Sequence, residues 1–108
     1  MSEIVIVVSL QAAEGKGDEI AKAFGEAIPP THAEEGCVKY ALHRDNNDPD
    51  HFVHIEKWRS QEELDAHMQT PHLGAVFAAL SQPGIMASGP KMWTLTNELI
   101  GDESKGAI

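Results

Sequence analysis

The sequence predicts an α+β fold in which strands and helices follow the order βαββαβ. Three observations predict it. Short runs rich in Ile, Val or aromatic residues stand near both ends of the chain. Two more such runs in the middle flank "DNNDPD", a cluster of turn formers. Stretches of helical periodicity separate these parts. A chain of 108 residues is the size of one ordinary domain, and no internal repeat or linker divides it. Residues 1–97 are expected to form the domain and 98–108 a C-terminal tail.

The first strand is Ile4–Leu10, apolar at odd and even positions alike, the pattern of a strand covered on both faces. Gly15-Lys16-Gly17 is a loose G-x-G without the rest of a phosphate-loop pattern, and is read as the turn before a helix. In that helix Ile20, Phe24, Ala27 and Ile28 recur on one side, and Glu19, Lys22 and Glu26 on the other. Asp18 and Glu19 favour the positive end of its dipole. Pro29-Pro30 is expected to break or kink it, with a short turn running on to Glu35 before Gly36. Cys37–Arg44 and Phe52–Trp58 make a hairpin. Ser60, with Glu63 three residues later, is a capping box that starts the next helix. Thr70 with Pro71 at the first helical position starts another, whose apolar stripe is Leu73, Val76, Phe77 and Leu80. Pro83-Gly84 ends it, Lys91–Asn97 reads as the last strand, and "GDESKGAI" is expected to be mobile or used in subunit contacts.

This order is the split βαβ, or ferredoxin-like, arrangement, in which helices cover one face of a four-stranded antiparallel sheet. In the second hairpin strand Val53 and Ile55 point one way, and Phe52, His54, Glu56 and Trp58 the other. The first set suits the helix layer. The second is too aromatic for open water and too polar for a sealed core. It is therefore expected on the open face, meeting the sheet of a second copy and leaving a pocket. That predicts a homodimer.

Charge narrows the partners. Eight Lys and Arg against 17 Asp and Glu give a net charge of −9, which repels phosphate backbones and anionic headgroups, so neither nucleic acid nor membrane is expected. The single cysteine, Cys37, allows no internal disulfide and suits a reducing cytoplasm. The N-terminal "MSEIVIVVSL" has no basic start, and its apolar run is too short for a signal peptide or a span. A cytoplasmic protein is expected.

"EEGCVKYALHRD", "HIEKWRSQEELDAHMQTPH" and the spacing between them resemble the antibiotic biosynthesis monooxygenase domain family, from Ile4 to Asn97. The acidic–Gly-Cys, Glu-x-Trp and "AHxQTPH" elements carry the resemblance. It implies ferredoxin-like subunits paired face to face in a dimeric α+β barrel. It also implies one of several activities: oxidation of quinols or anthrones without metal, flavin or haem, haem degradation, or isomerisation of a phosphorylated signal derivative. The haem branch implies an asparagine, a tryptophan and a haem-ligating histidine where this chain has Val8, His67 and Phe77. All three depart, so haem degradation is not expected.

The candidate site residues follow from the chemistry. Dioxygen in its triplet state reacts slowly with closed-shell molecules. A cofactor-free oxygenase therefore needs an apolar slot for a flat ring, a base, and donors for an oxyanion. Phe52, Trp58, Phe77, Leu80 and Met92 are candidates for the slot, and His67 or His54 for the base, since imidazole titrates near neutral pH. Trp58 N–H, Tyr40 O–H and Arg44 are candidates to hold the oxyanion. Glu56 is either a polar group of the pocket or an ion-pair partner of Arg44 or Arg59. His67 either caps the end of its helix or stands at the pocket mouth. His72 is read as packing or bonding locally in its first helical turn.

His67 and His72 are five apart across Thr70-Pro71, which gives neither a shared helix face nor a third ligand, so no metal site is expected. No Ser-His-Asp order or Gly-x-Ser-x-Gly elbow supports acyl transfer. The expected function is a cofactor-free monooxygenase acting with dioxygen on a small aromatic such as a quinol or anthrone. Two alternatives stay open: an isomerase of a phosphorylated diketone, which needs a cationic phosphate site, and a non-catalytic dimer that binds aromatic ligands.

Overall fold

Antiparallel pairing starts at the turn formers in the middle of the chain. Asp45 pairs with Asp48, and the Asn47 N–H donates to Asp45 Oδ1 at 2.8 Å. The structure, a computed structural model, describes residues 3–108. Because only two residues make the turn, the hairpin strands are longer than expected: β2 spans Cys37–Asp45 and β3 spans Asp48–Trp58. The other strands are β1 (Ile4–Gln11) and β4 (Lys91–Leu95), and the helices are α1 (Gly17–His32), α2 (Gln61–His67), α3 (Pro71–Leu80) and the single turn α4 (Glu103–Gly106). The sheet order β2-β3-β1-β4, antiparallel throughout, is the ferredoxin-like α+β architecture.

Both predicted caps are present. Ser60 Oγ accepts the Glu63 N–H, and Thr70 Oγ1 accepts the Leu73 N–H with Pro71 at the first helical position. Pro29-Pro30 does not break α1, which runs on to His32. The two prolines remove the donors that Gly25 and Glu26 carbonyls would use. All four residues are exposed, so water can satisfy those carbonyls. Thr31 on the inner side donates from Oγ1 to the Ala27 carbonyl at 2.8 Å.

The alternation in β3 is as expected, but its sense is reversed. Phe52, His54, Glu56 and Trp58 are buried beneath the helices, in register with Leu10, Val8, Ile6 and Ile4 of β1. Val53 and Ile55 lie on the opposite, open face with Val7, Trp93 and Leu95. The core joins Ile6, Leu10, Phe52 and Trp58 of the sheet to Ile20, Phe24 and Ala27 of α1 and Val76 of α3. Alternation separates two faces without saying which one a helix will cover. In the mixed set the Trp58 indole N–H donates to Glu56 Oε1, and His54 and Glu56 border a cavity. The tail folds back at its end, where Asn97 and Ile108 exchange two hydrogen bonds.

Candidate active site

A cavity of about 740 Å³ lies between the sheet and the helices, a volume suited to a small organic molecule. Ile6, Val8 and Leu10 form its floor. Leu64, Leu73, Val76, Phe77 and Leu80 form the helical wall, and the segment Ser81–Pro90 with Met92 lies at its edge. Four side chains able to gain or lose a proton border this apolar space: Tyr40, His54, Glu56 and His67.

The β3 pleat places His54 and Glu56 on the cavity side. His54 is 0% exposed. Its ring stacks on Phe24 at 4.8 Å and meets Tyr40 edge-on at 4.2 Å. Neither ring nitrogen has a hydrogen-bond partner among the described residues, and Nδ1 lies 3.4 Å from Glu56 Oε2. Glu56 Oε1 accepts the Trp58 indole N–H at 2.9 Å. Burial, then the nearby Glu56 and Glu34, push the Tyr40 phenol well above its usual range, so it remains a donor at neutral pH.

His67 ends α2, and its ring sits between Trp58, 4.4 Å away, and Tyr40, 5.3 Å away. Nδ1 lies 2.8 Å from Glu34 Oε2, while Nε2 is buried with no partner among the described residues. A ring that donates from Nδ1 to a carboxylate keeps Nε2 as its acceptor. The His72 Nε2 reaches the same Glu34 oxygen at 2.8 Å. His72 therefore makes a tertiary contact with the segment after α1, where a local one was expected. The junction Thr70-Pro71 separates the end of α2 from the start of α3, and a ring from each reaches the same carboxylate.

With this geometry in place, comparison with known proteins decides the family. The family model for "Antibiotic biosynthesis monooxygenase" matches residues 3–79. The chain belongs to the antibiotic biosynthesis monooxygenase family. This family member is 38% identical over 65 residues to "Probable quinol monooxygenase YgiN" of Escherichia coli strain K12, a match covering 53% of this chain and 62% of that protein. It thus spans less than two thirds of the curated relative. Among solved structures, a candidate antibiotic biosynthesis monooxygenase from Caulobacter crescentus superposes with a TM-score of 0.79 at 27% identity, covering 88% of this chain and 89% of the other. A conserved Methanosarcina mazei protein superposes with a TM-score of 0.82 at 23% identity, covering 91% and 95%, which is a likeness of fold.

Within this family member the residues singled out from the sequence divide into two groups. His67, His54, Tyr40, Glu56, Phe77, Leu80 and Met92 line the cavity. Phe52, Trp58 and Arg44 do not. Phe52 lies in the core, with the Arg44 guanidinium 4.6 Å over its ring. Trp58 is fully buried and its N–H is committed to Glu56. Arg44 pairs with Asp18 at 3.0 Å, and Arg59 pairs with Glu63 and Glu35, so neither arginine reaches Glu56 as expected. Sequence reasoning missed Glu34. Its only signal was an acidic residue just before Gly36-Cys37, with nothing local to tie it to His67.

Proposed function

We propose that this chain oxidises a small electron-rich aromatic, a quinol or anthrone-like compound, with dioxygen and with no metal, flavin or haem taking part in the reaction. The observation that carries the reading is His67: Glu34 occupies one ring nitrogen, and the other is an unpartnered acceptor on a ring that borders an apolar cavity. In this reading the substrate ring lies between Val8 of the sheet and Phe77 of α3, and His67 Nε2 takes its acidic proton. The anion passes one electron to dioxygen. The resulting radical and superoxide combine to form a carbon–oxygen bond. The O–O bond then breaks: one oxygen stays on the substrate and the other leaves as water, with the substrate supplying all electrons. For a quinol the products are a hydroxyquinone and water. The Tyr40 O–H, held protonated, stabilises the oxyanion. His54 is the second candidate base.

None of the described residues that line the cavity is Lys or Arg, so the geometry gives little support to a phosphorylated substrate. The open sheet face supports a homodimer as part of the same reading, since Trp93 and Leu95 are 48% and 43% exposed beside half-buried Val7, Val53 and Ile55. A cytoplasmic location also belongs to it. The membrane result is narrower: no described helix is long and apolar enough to cross a bilayer.

The test is oxygen uptake by the purified chain with a panel of hydroquinones and anthrones, with isotopic oxygen to count atoms in the product. One labelled atom per product is expected, and His67→Gln should slow turnover about 10²-fold, the lower range for loss of a general base. Tight binding of aromatics with no uptake across the panel would instead support the non-catalytic dimer.

A further inference from the structure

We propose that Glu34, His67 and His72 form a binding site for a divalent transition-metal ion of the Zn2+ type, and that its occupant controls the cavity rather than doing chemistry in it. Three ligand atoms are already assembled. Glu34 Oε2, His67 Nδ1 and His72 Nε2 lie within 4.8 Å of one another, and both nitrogens are 2.8 Å from the one oxygen. Two imidazoles and a carboxylate are an established ligand set for zinc. With metal–ligand bonds of about 2.1 Å, tetrahedral ligand atoms stand about 3.4 Å apart, so each nitrogen–oxygen pair has to open by about 0.6 Å.

The objections that arise from the sequence are both answered by the fold. Spacing of five puts two histidines on different faces of a single helix, but here α2 ends at His67 and α3 begins at Pro71. The third ligand arrives from a different element, just beyond α1. Its ion-pair partners among the described residues are these two imidazoles, so no Lys or Arg competes with a cation for it. The net charge of −9 also raises the local concentration of cations.

Position says what such an ion would do. His67 is almost fully buried, whereas the side chains of Glu34 and His72 are 17% and 19% exposed. Neither Glu34 nor His72 lines the cavity, so the remaining coordination position opens toward water and not toward a bound substrate. Coordination at His67 Nδ1 moves the ring proton to Nε2. The nitrogen that serves as acceptor becomes a donor. This consequence rests on the oxygenase reading, whereas the binding itself does not. A bound ion therefore withdraws the base and inhibits turnover.

The experiment is titration of the 108-residue chain with Zn2+ by calorimetry, and with Co2+ by visible absorption, which reports tetrahedral nitrogen–oxygen ligation. One ion per chain is expected. Glu34→Gln and His72→Gln should each weaken binding at least tenfold, while His43→Ala, which alters an exposed histidine outside the cluster, should not. Nitrogen NMR of the His67 ring should show the proton moving to Nε2 on addition of Zn2+. Circular dichroism of each variant checks that it is folded. Failure of the wild-type chain to bind one ion, or binding indifferent to both substitutions, overturns the site. Stoichiometric binding with no oxygen uptake under any condition would leave the site standing and remove the oxygenase reading. Binding at these residues that leaves uptake unchanged would overturn the control.

Discussion

Asp50 shows how much one side chain can organise without entering the site. Its two carboxylate oxygens accept the backbone N–H groups of Gly15 and Gly17 at 2.9 and 2.8 Å, which ties the turn before α1 to the start of β3. These bonds, with the positive charge of Arg44, hold its carboxyl below the usual range. Asp45 is lowered in the same way by the Asn47 N–H and by His51. A folded-state value below the unfolded one means stability that is present above the unfolded pKa and lost as pH falls through the folded one. Asp50→Asn should therefore lower the melting temperature at neutral pH and flatten the acid limb of a stability-against-pH curve. Thermal melts from neutral pH down to below the ordinary carboxylate range would show this, and curves parallel to wild type would contradict it. The role of Asp50 was not legible in the sequence, where "DNNDPD" reads only as a turn. Ser60 and Thr70 were legible, because a cap bonds to residues three positions away.

At the scale of elements, α1 carries two opposed glycine tests. A Cβ on Gly17 would run into the Pro49 carbonyl oxygen, and backbone cannot yield as a flexible side chain can. Gly17→Ala should destabilise the fold by about 1–3 kcal/mol, the usual cost of overpacking. A Cβ on Gly25 meets nothing within 4 Å, and the residue is exposed in the helix interior. Gly25→Ala should stabilise by about 0.5–1 kcal/mol. Urea denaturation of the pair checks both signs at once, and a neutral Gly17→Ala would show that α1 and the β3 start can separate without cost. Helix periodicity was legible over Ile20–Ile28, and so was the β3 alternation. Neither shows which side of the sheet α1 covers, since that depends on crossover geometry and on the volumes of all the packed residues together.

For the whole molecule, the open face of the sheet is the feature with most consequence. Val7, Val53 and Ile55 sit beside Trp93 and Leu95, and β4 leaves one edge of the sheet free. Light scattering should give twice the chain mass, and Trp93→Glu should shift the assembly to a single chain by placing a charge in an apolar contact. A wild-type chain that runs as a monomer would remove the dimer. From the residues alone came the βαββαβ order, the helix starts at Ser60 and Thr70, the hairpin, and the family resemblance in "HIEKWRSQEELDAHMQTPH". These are local or periodic signals, set by bonds across a few positions. Only the tertiary structure decided that His54 and Glu56 lie under the helices. Only it brought Glu34 across 33 positions to His67 and separated Arg44 from the cavity. The reason is physical: side chains far apart in the chain meet only when packing of the layers, which no short stretch encodes, brings them together.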